Sequence, residues 1–300
     1  MRKFKLFKSS GTRLNRSVAG NSLLFTLMGI FGVLMALPLV MIVNNALKPL
    51  DELFRFPPTV FPQHPTLDNF SDLIVTMGQS WVPFSRYILN TVFITAVGTF
   101  GHLIIASMAA FVLAKYDFPG GKTFFNIVVT ALMFSGYVTG IPNYVIMSKL
   151  KMIDTYWALL LPAFAAPIGL FMMKQFMEGL PMSLIESAKI DGAKELRIFW
   201  QIIFPLCTPV LATVALFVAV GAWNQWFDTQ LYNGSKKNLY TLQYLLKMKL
   251  ATSMNTAHAA NASVDALASQ AAAKSTPVTI RCAITVVSAL PIMIVYPFLP

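Results

Sequence analysis

Charge is scarce in this chain. Asp, Glu, Lys and Arg make up 12% of its 300 residues, against about 25% in soluble domains. With 56% hydrophobic residues and a mean hydropathy of +0.64, that deficit excludes an ordinary soluble globule. Cysteine is nearly absent. Two residues, Cys207 and Cys282, exclude a disulfide framework or a zinc site built on thiolates. Histidine is equally thin, at positions 64, 102 and 258, with no metal-ligand spacing. No nucleophile–base constellation and no glycine-rich phosphate cradle occurs. Gly121-Lys122-Thr123 looks like the end of a P-loop, but the pattern needs glycine at 116 and that residue is Tyr. Nucleotide binding by that route is excluded. Alternating apolar and polar residues are missing too, which excludes a transmembrane β-barrel.

What the chain does have is long apolar runs. A span needs about 20 mainly apolar residues. Six segments qualify: 22–44, 88–114, 124–147, 155–173, 205–227 and 277–299. Backbone groups in lipid must be satisfied internally, so these segments are predicted to be helices. The fold class is therefore all-α membrane protein with six transmembrane helices. The net charge of +11 is not a nucleic-acid signature. Arg2, Lys3, Lys5, Lys8, Arg13 and Arg16 precede the first span with no acid among them, which puts residues 1–21 in the cytoplasm. The apolar run after them is too long for a signal peptide and lacks a small-x-small cleavage site, so it is expected to be retained.

Two external segments separate the spans. Residues 45–87 are proline-rich (Phe56-Pro57-Pro58, Phe61-Pro62, His64-Pro65), which predicts extended or turn structure. Residues 228–276 form a long loop with an Ala-, Ser- and Asn-rich tail at 257–273. Tyr116-Asp117-Phe118-Pro119-Gly120-Gly121 predicts a tight hairpin between spans two and three.

The polar stretch 177–204 has its own local design. Ser183 and Glu186 have capping-box spacing, which predicts a helix starting near Leu184. Leu184 and Ala188 share one face. Asp191-Gly192 is predicted to end that helix, because glycine tolerates the left-handed conformation a helix end needs. A second helix is expected over 193–204, and Pro205 suits the start of span five.

The run Glu186-Ser187-Ala188-x-x-Asp191-Gly192-Ala193, followed by Ile202-Ile203-Phe204-Pro205, resembles the coupling loop of importer-type ABC permeases. Ser187 stands for a usual Ala, and Phe204 for a usual Leu. Leu47-Lys48-Pro49, Asn90-Thr91 and the Tyr116–Gly121 finish resemble the carbohydrate permeases of the maltose class. The resemblance covers nearly the whole chain from Leu23. It implies a type I permease fold, with 88–300 as the core domain. It implies that Glu186, Ser187, Ala188, Asp191, Gly192 and Ala193 couple to an ATPase. It implies partners: a second homologous permease, a homodimer of ABC ATPase subunits and an extracytoplasmic solute-binding protein. This chain then holds no cofactor and is not itself an enzyme. ATP and magnesium belong to the partner subunits, and the location is a bacterial inner membrane. Relatives of this kind carry a short basic tail beyond the point where this sequence ends, at Pro300.

The substrate implied is an oligosaccharide, with alginate or other uronates as the finer expectation. The candidate solute path comprises Asn90, Asn143, Trp223, Asn224, Gln225 and Trp226. For the Trp223–Phe227 element two readings stand open. Indole faces and amides bind sugars, and aromatic belts anchor helices at membrane interfaces. The 228–276 loop either reaches the binding protein or packs over the external face. Gly136-x-x-x-Gly140 packs within the chain or against the sister permease, and Pro142 is expected to kink its helix. Permeases for peptides or amino acids, and an ion-coupled secondary transporter, are the alternatives.

Overall fold

The computed structural model describes residues 18–53, 55, 57, 59–78, 82–260 and 277–295. Among them the regular structure is helical: α1 Val18–Leu47, α2 Leu50–Leu53, α3 Asp68–Gly78, α4 Phe84–Lys115, α5 Gly121–Ala131 and α6 Gly136–Lys149. There follow α7 Trp157–Phe164, α8 Pro167–Glu178, α9 Ser183–Ile190 and α10 Glu195–Ile198. A π-helical turn, Phe199–Ile203, leads to α11 Phe204–Leu206, α12 Thr208–Trp223, α13 Phe227–Tyr232, a 3₁₀ turn Lys237–Leu239, α14 Leu242–Ala260 and α15 Pro277–Val295.

Over their described residues the six apolar segments are largely helical, but three differ from simple rods and the sixth, Val278–Ile294, is a shorter apolar helix. Gly20–Leu47, Phe84–Lys115 and Trp157–Glu178 are long and apolar enough to cross a membrane. The third of these carries a short break at Ala165–Ala166, where Pro167 opens α8 in the first-turn position that needs no N–H. Span three is broken. α5 and α6 meet at 115°, because Ser135 caps α6 by accepting from the Tyr137 N–H. Pro142 lies inside α6, beyond this break. Span five does not start at Pro205. The break falls at Cys207, where Glu195–Leu206 turns into Thr208–Trp223 through 79°.

Two loop expectations are corrected. The proline-rich segment contains a helix, α3, whose first turn is fixed when Thr66 Oγ1 accepts from the Asp68 N–H. Leu73 of α3 is buried, and burial wins over the prolines upstream. The segment between is clamped to α1. Asn69 Nδ2 donates to the carbonyls of Ala46 and Lys48, and Glu52 accepts the backbone N–H of Gln63 and His64. The 228–276 region is likewise built largely of α13, the 3₁₀ turn and α14. Its tail from 261 to 276 lies outside the described residues.

Three apolar cores hold the bundle. One joins α4, α8 and α12 to the 183–207 segment through Met173, Met177, Ile185, Ala188, Ile198, Phe199 and Ile203. A second joins α3, the start of α4, Trp223 and α15, and a third surrounds α7 and Tyr232. α1 is exposed around its circumference from Gly20 to Met41. A helix that is apolar all round belongs in lipid or against another subunit.

Candidate functional site

The 177–204 loop is two helices locked by a turn. α9 begins one residue earlier than the capping-box spacing suggests. Met182 is already helical (φ −66°, ψ −27°), so Ser183 sits in the first turn and its side chain makes no cap hydrogen bond. The end of α9 follows the sequence. Gly192 has φ +77°, Ala193 N–H donates to Ala188 O at 3.0 Å, and Gly192 N–H donates to Lys189 O at 3.0 Å. This pair of bonds is the Schellman arrangement, which needs a left-handed residue where Gly192 stands. Ala193 is therefore part of the turn, and the second helix starts at Glu195 after an extended Lys194.

The loop is welded to the bundle on one side. Ile185 and Ala188 are buried in the core shared with α4, α8 and α12. Full burial of a side chain the size of Ile185 stabilises by about 1.5–3 kcal/mol. Ala188 thus faces inward. Glu186, Ser187, Asp191 and Gly192 face out, and Ala193 is half-buried. Ile190, at the tip, is 87% exposed.

A polar triangle ties the turn to span two. Lys189 Nζ and Glu195 Oε1 are 2.8 Å apart across the turn. Tyr116 Oη donates to Glu195 Oε2, and Lys189 Nζ lies 5.1 Å from the Tyr116 ring centroid. The Lys189 and Tyr116 contacts hold the Glu195 carboxyl below its ordinary value. The Glu195 bond raises Lys189, and burial followed by the Glu195 bond raises Tyr116. Lys115 Nζ also donates to Leu180 O at 2.6 Å, just before α9. Sequence reasoning missed this triangle. Its signal was opposite charges, Lys189 and Glu195, flanking a glycine turn.

Four of the six candidate path residues meet elsewhere. Asn143, Asn224, Gln225 and Trp226 line a cavity of about 450 Å³ with Tyr137 and Asp228. It forms where α6, tilted by the break in span three, crosses the end of α12 and α13. Tyr137 and Phe227 rings meet edge to face at 4.8 Å, and Trp226 and Phe227 at 5.7 Å. Gly140 packs closely at that crossing: a Cβ there would lie 3.2 Å from the Phe227 ring, which would have to give by a few tenths of an ångström. Gly140 therefore packs within the chain, whereas Gly136 meets nothing within 4 Å. Gln225 and Asp228 also border an apolar cavity of about 310 Å³ beside Leu159 and Phe217. Gln225 Nε2 donates to Asp228 Oδ2, and Lys247 Nζ sits 3.3 Å over the Trp226 ring. Burial raises the Asp228 carboxyl above its ordinary value, and the Gln225 bond partly offsets this. A larger cavity, about 850 Å³, lies beside the 116–121 turn and α8, close to the coupling loop.

Asn90 and Trp223 are not in the cavity. Asn90 is buried. Its Nδ2 donates to Asn238 O at 2.7 Å and Tyr240 O at 3.0 Å, while Oδ1 accepts from Tyr156 Oη at 2.7 Å. Both its N–H donors are spent on bracing the 3₁₀ segment, so a solute finds no donor there. Trp223 is buried against α15, with Nε1 donating to Ser288 O at 2.8 Å. Its role in this arrangement is packing.

Comparison with known proteins agrees with this architecture. Residues 16–299 match the family described as binding-protein-dependent transport system inner membrane component. Protein LplC of Bacillus subtilis (strain 168) is 37% identical over 273 residues, covering 91% of this chain and 87% of that protein. The polygalacturonan/rhamnogalacturonan transport system permease protein YtcP of the same strain is 30% identical over 280 residues, with 92% of each covered. A solved bacterial ABC transporter involved in the import of the acidic polysaccharide alginate superposes with TM-score 0.79 at 22% identity. The match covers 95% of this chain and 98% of that one. The chain belongs to the family of inner-membrane components of binding-protein-dependent transport systems, and as such it is a permease subunit and not an enzyme.

Proposed function

We propose that this permease subunit moves oligosaccharides into the cytoplasm as part of an ATP-driven importer. Its companions are a second homologous permease, two ABC ATPase subunits that bind ATP and magnesium, and an extracytoplasmic binding protein. The basic residues 1–21 and the 177–204 loop lie on the cytoplasmic side. The 45–87 and 228–276 regions lie outside.

The observation that carries the mechanism is the two-sided coupling helix. Its inner face, Ile185 and Ala188, is part of the core that holds α4, α8 and α12. Its outer face and tip present Glu186, Ser187, Asp191 and Ile190. A push on the tip is delivered to the bundle as a rigid displacement, because close-packed cores transmit strain instead of absorbing it. The Gly192 turn and the Tyr116–Glu195–Lys189 triangle carry the same displacement to span two and, through the π-turn, to span five. The break at Cys207 lets the two parts of span five change angle.

Carbohydrate as the solute is supported by the cavity chemistry. Aromatic faces pack on sugar C–H surfaces, and amides bond hydroxyls. YtcP, similar along 92% of the chain, is named for polygalacturonan and rhamnogalacturonan, so uronate-bearing sugars stand beside neutral oligosaccharides in the finer reading. A direct test is ATP hydrolysis by the complete importer in proteoliposomes. Oligosaccharide-loaded binding protein is expected to stimulate it several-fold and peptide not at all. Stimulation by peptide alone would replace sugar with a peptide substrate.

A further inference from the structure

Asp228 is the one charged residue lining either of the two adjoining cavities, among the described residues. It comes from the first turn of α13, right after the Trp226-Phe227 aromatic pair. No basic side chain joins it. Lys247, beside Trp226, is committed to that ring and to Gln230 Oε1 at 2.7 Å. The two ion pairs among the described residues both lie elsewhere, at Lys174–Glu178 and Lys189–Glu195. The carboxylate's partner is the neutral amide of Gln225. The wall around it is aromatic or amide: Tyr137, Asn143, Asn224, Trp226.

We infer that Asp228 sets the charge selectivity of this subunit's part of the path, accepting hydroxyls of neutral oligosaccharides and disfavouring sugars whose own carboxylates enter the cavity. This rests on the carbohydrate reading above and narrows it against the uronate expectation. An ionised carboxylate is acceptor-only. Neutral sugar hydroxyls supply donors, and bonds to an ionised acceptor are roughly twice as strong as neutral ones. A uronate carboxylate brings no donor and a like charge. Within a cavity of this size the two charges are a few ångströms apart. At an effective dielectric near 20 their repulsion weakens occupancy by about tenfold or more.

The test isolates charge from shape. Labelled trigalacturonate and its methyl ester share a sugar backbone and differ in the carboxylates. The complete importer, with one preparation of its binding protein, is reconstituted with wild-type, Asp228→Asn or Asp228→Glu permease. Because the binding protein is common to all three, its own preference cancels from the change in the ester-to-acid uptake ratio. The expected results are an ester-to-acid ratio at least fivefold smaller in Asp228→Asn than in wild type, and the wild-type ratio retained in Asp228→Glu. An unchanged ratio in Asp228→Asn overturns the inference. Equilibrium dialysis of both probes against the wild-type complex is a second measurement, needed if Asp228→Asn fails to assemble. Tighter binding of the ester by about tenfold supports the inference, and equal binding overturns it. If peptide stimulates ATP hydrolysis and neither sugar does, the carbohydrate reading itself has failed and this inference with it. That outcome is distinct from sugar transport without charge discrimination.

Discussion

Replacing Gly192 with valine tests the turn on which the proposed coupling role of the 177–204 loop depends. At φ +77° a Cβ added to Gly192 meets nothing within 4 Å. Crowding by neighbours is therefore not the issue, and the cost is that of the backbone itself. A left-handed residue other than glycine costs roughly 1–2 kcal/mol, and a β-branched side chain sits at the upper end or beyond. The turn is closed by two backbone bonds, from Ala193 to Ala188 and from Gly192 to Lys189. Each is worth about 0.5–1.5 kcal/mol net. A strain of about 2 kcal/mol is thus comparable with what holds the turn. Since about 1.4 kcal/mol is a factor of ten in population, the turned form falls from dominant to a fraction on the order of one half or less. Asparagine tolerates the left-handed region better, so the expected order of coupled activity is Gly, then Asn, then Ala, then Val. The assay is binding-protein-stimulated ATP hydrolysis in proteoliposomes, normalised to inserted permease. Equal stimulation for Gly192→Val and wild type, with equal insertion, refutes the reasoning.

Three other outcomes follow from the packing. Asn90→Ala leaves the Asn238 and Tyr240 carbonyls without their buried donor, and stability in detergent is expected to fall by about 3 kcal/mol. Normal melting would show that the brace is not needed. Gly169→Ala places a Cβ 1.9 Å from His102 Nε2. Overpacking of this kind costs about 1–3 kcal/mol, and His102→Ala in the same chain is expected to recover part of it in a double-mutant cycle. Glu195→Gln removes the triangle's charge. The Glu195 carboxyl is depressed in the folded state, so its contribution is present above the ordinary value of 4.5 and disappears as pH falls through the lower folded value. Lys189 is raised, so its contribution persists up to 10.5 and disappears only as pH rises through the higher folded value. Hydrogen-exchange protection of residues 190–196, corrected for intrinsic rates, is therefore expected to hold across neutral pH and to drop in acid. In Glu195→Gln it is low throughout, and acid-insensitive protection in wild type would count against the triangle.

The helices of this chain were legible because apolar runs and the bilayer leave few alternatives. Their interruptions were not. Ser135 and Gly136 look like any polar pair in a span, yet the Ser135 cap decides where span three turns, and Pro142, the louder signal, stays inside α6. The end of α9 could be read from Asp191-Gly192 because a left-handed turn has a nearly unique residue preference. Its start could not, since whether Ser183 or Met182 caps the helix depends on the backbone arriving from Pro181. The Trp223–Asp228 element shows the limit most clearly. Adjacent residues point to different places: Trp223 into α15 and Ser288, Asn224 and Trp226 into the cavity. Composition marked the element, but only the crossing of α6 over α12 and α13 separated packing from path. Asp228, one residue past the apolar span, went unremarked because its setting is made by Gln225 and by helices distant in sequence.

The central claim is that motion enters at the Ile190–Gly192 tip from a motor in another subunit and leaves as a change in access to the cavity. The measurement that bears on it most directly is uptake of labelled oligosaccharide by proteoliposomes holding the complete importer. It is compared with vesicles in which the ATPase subunits are omitted or unable to hydrolyse ATP. Accumulation only in the complete, ATP-supplied vesicles is predicted. Full-rate uptake by the permease without a hydrolysing partner would contradict it.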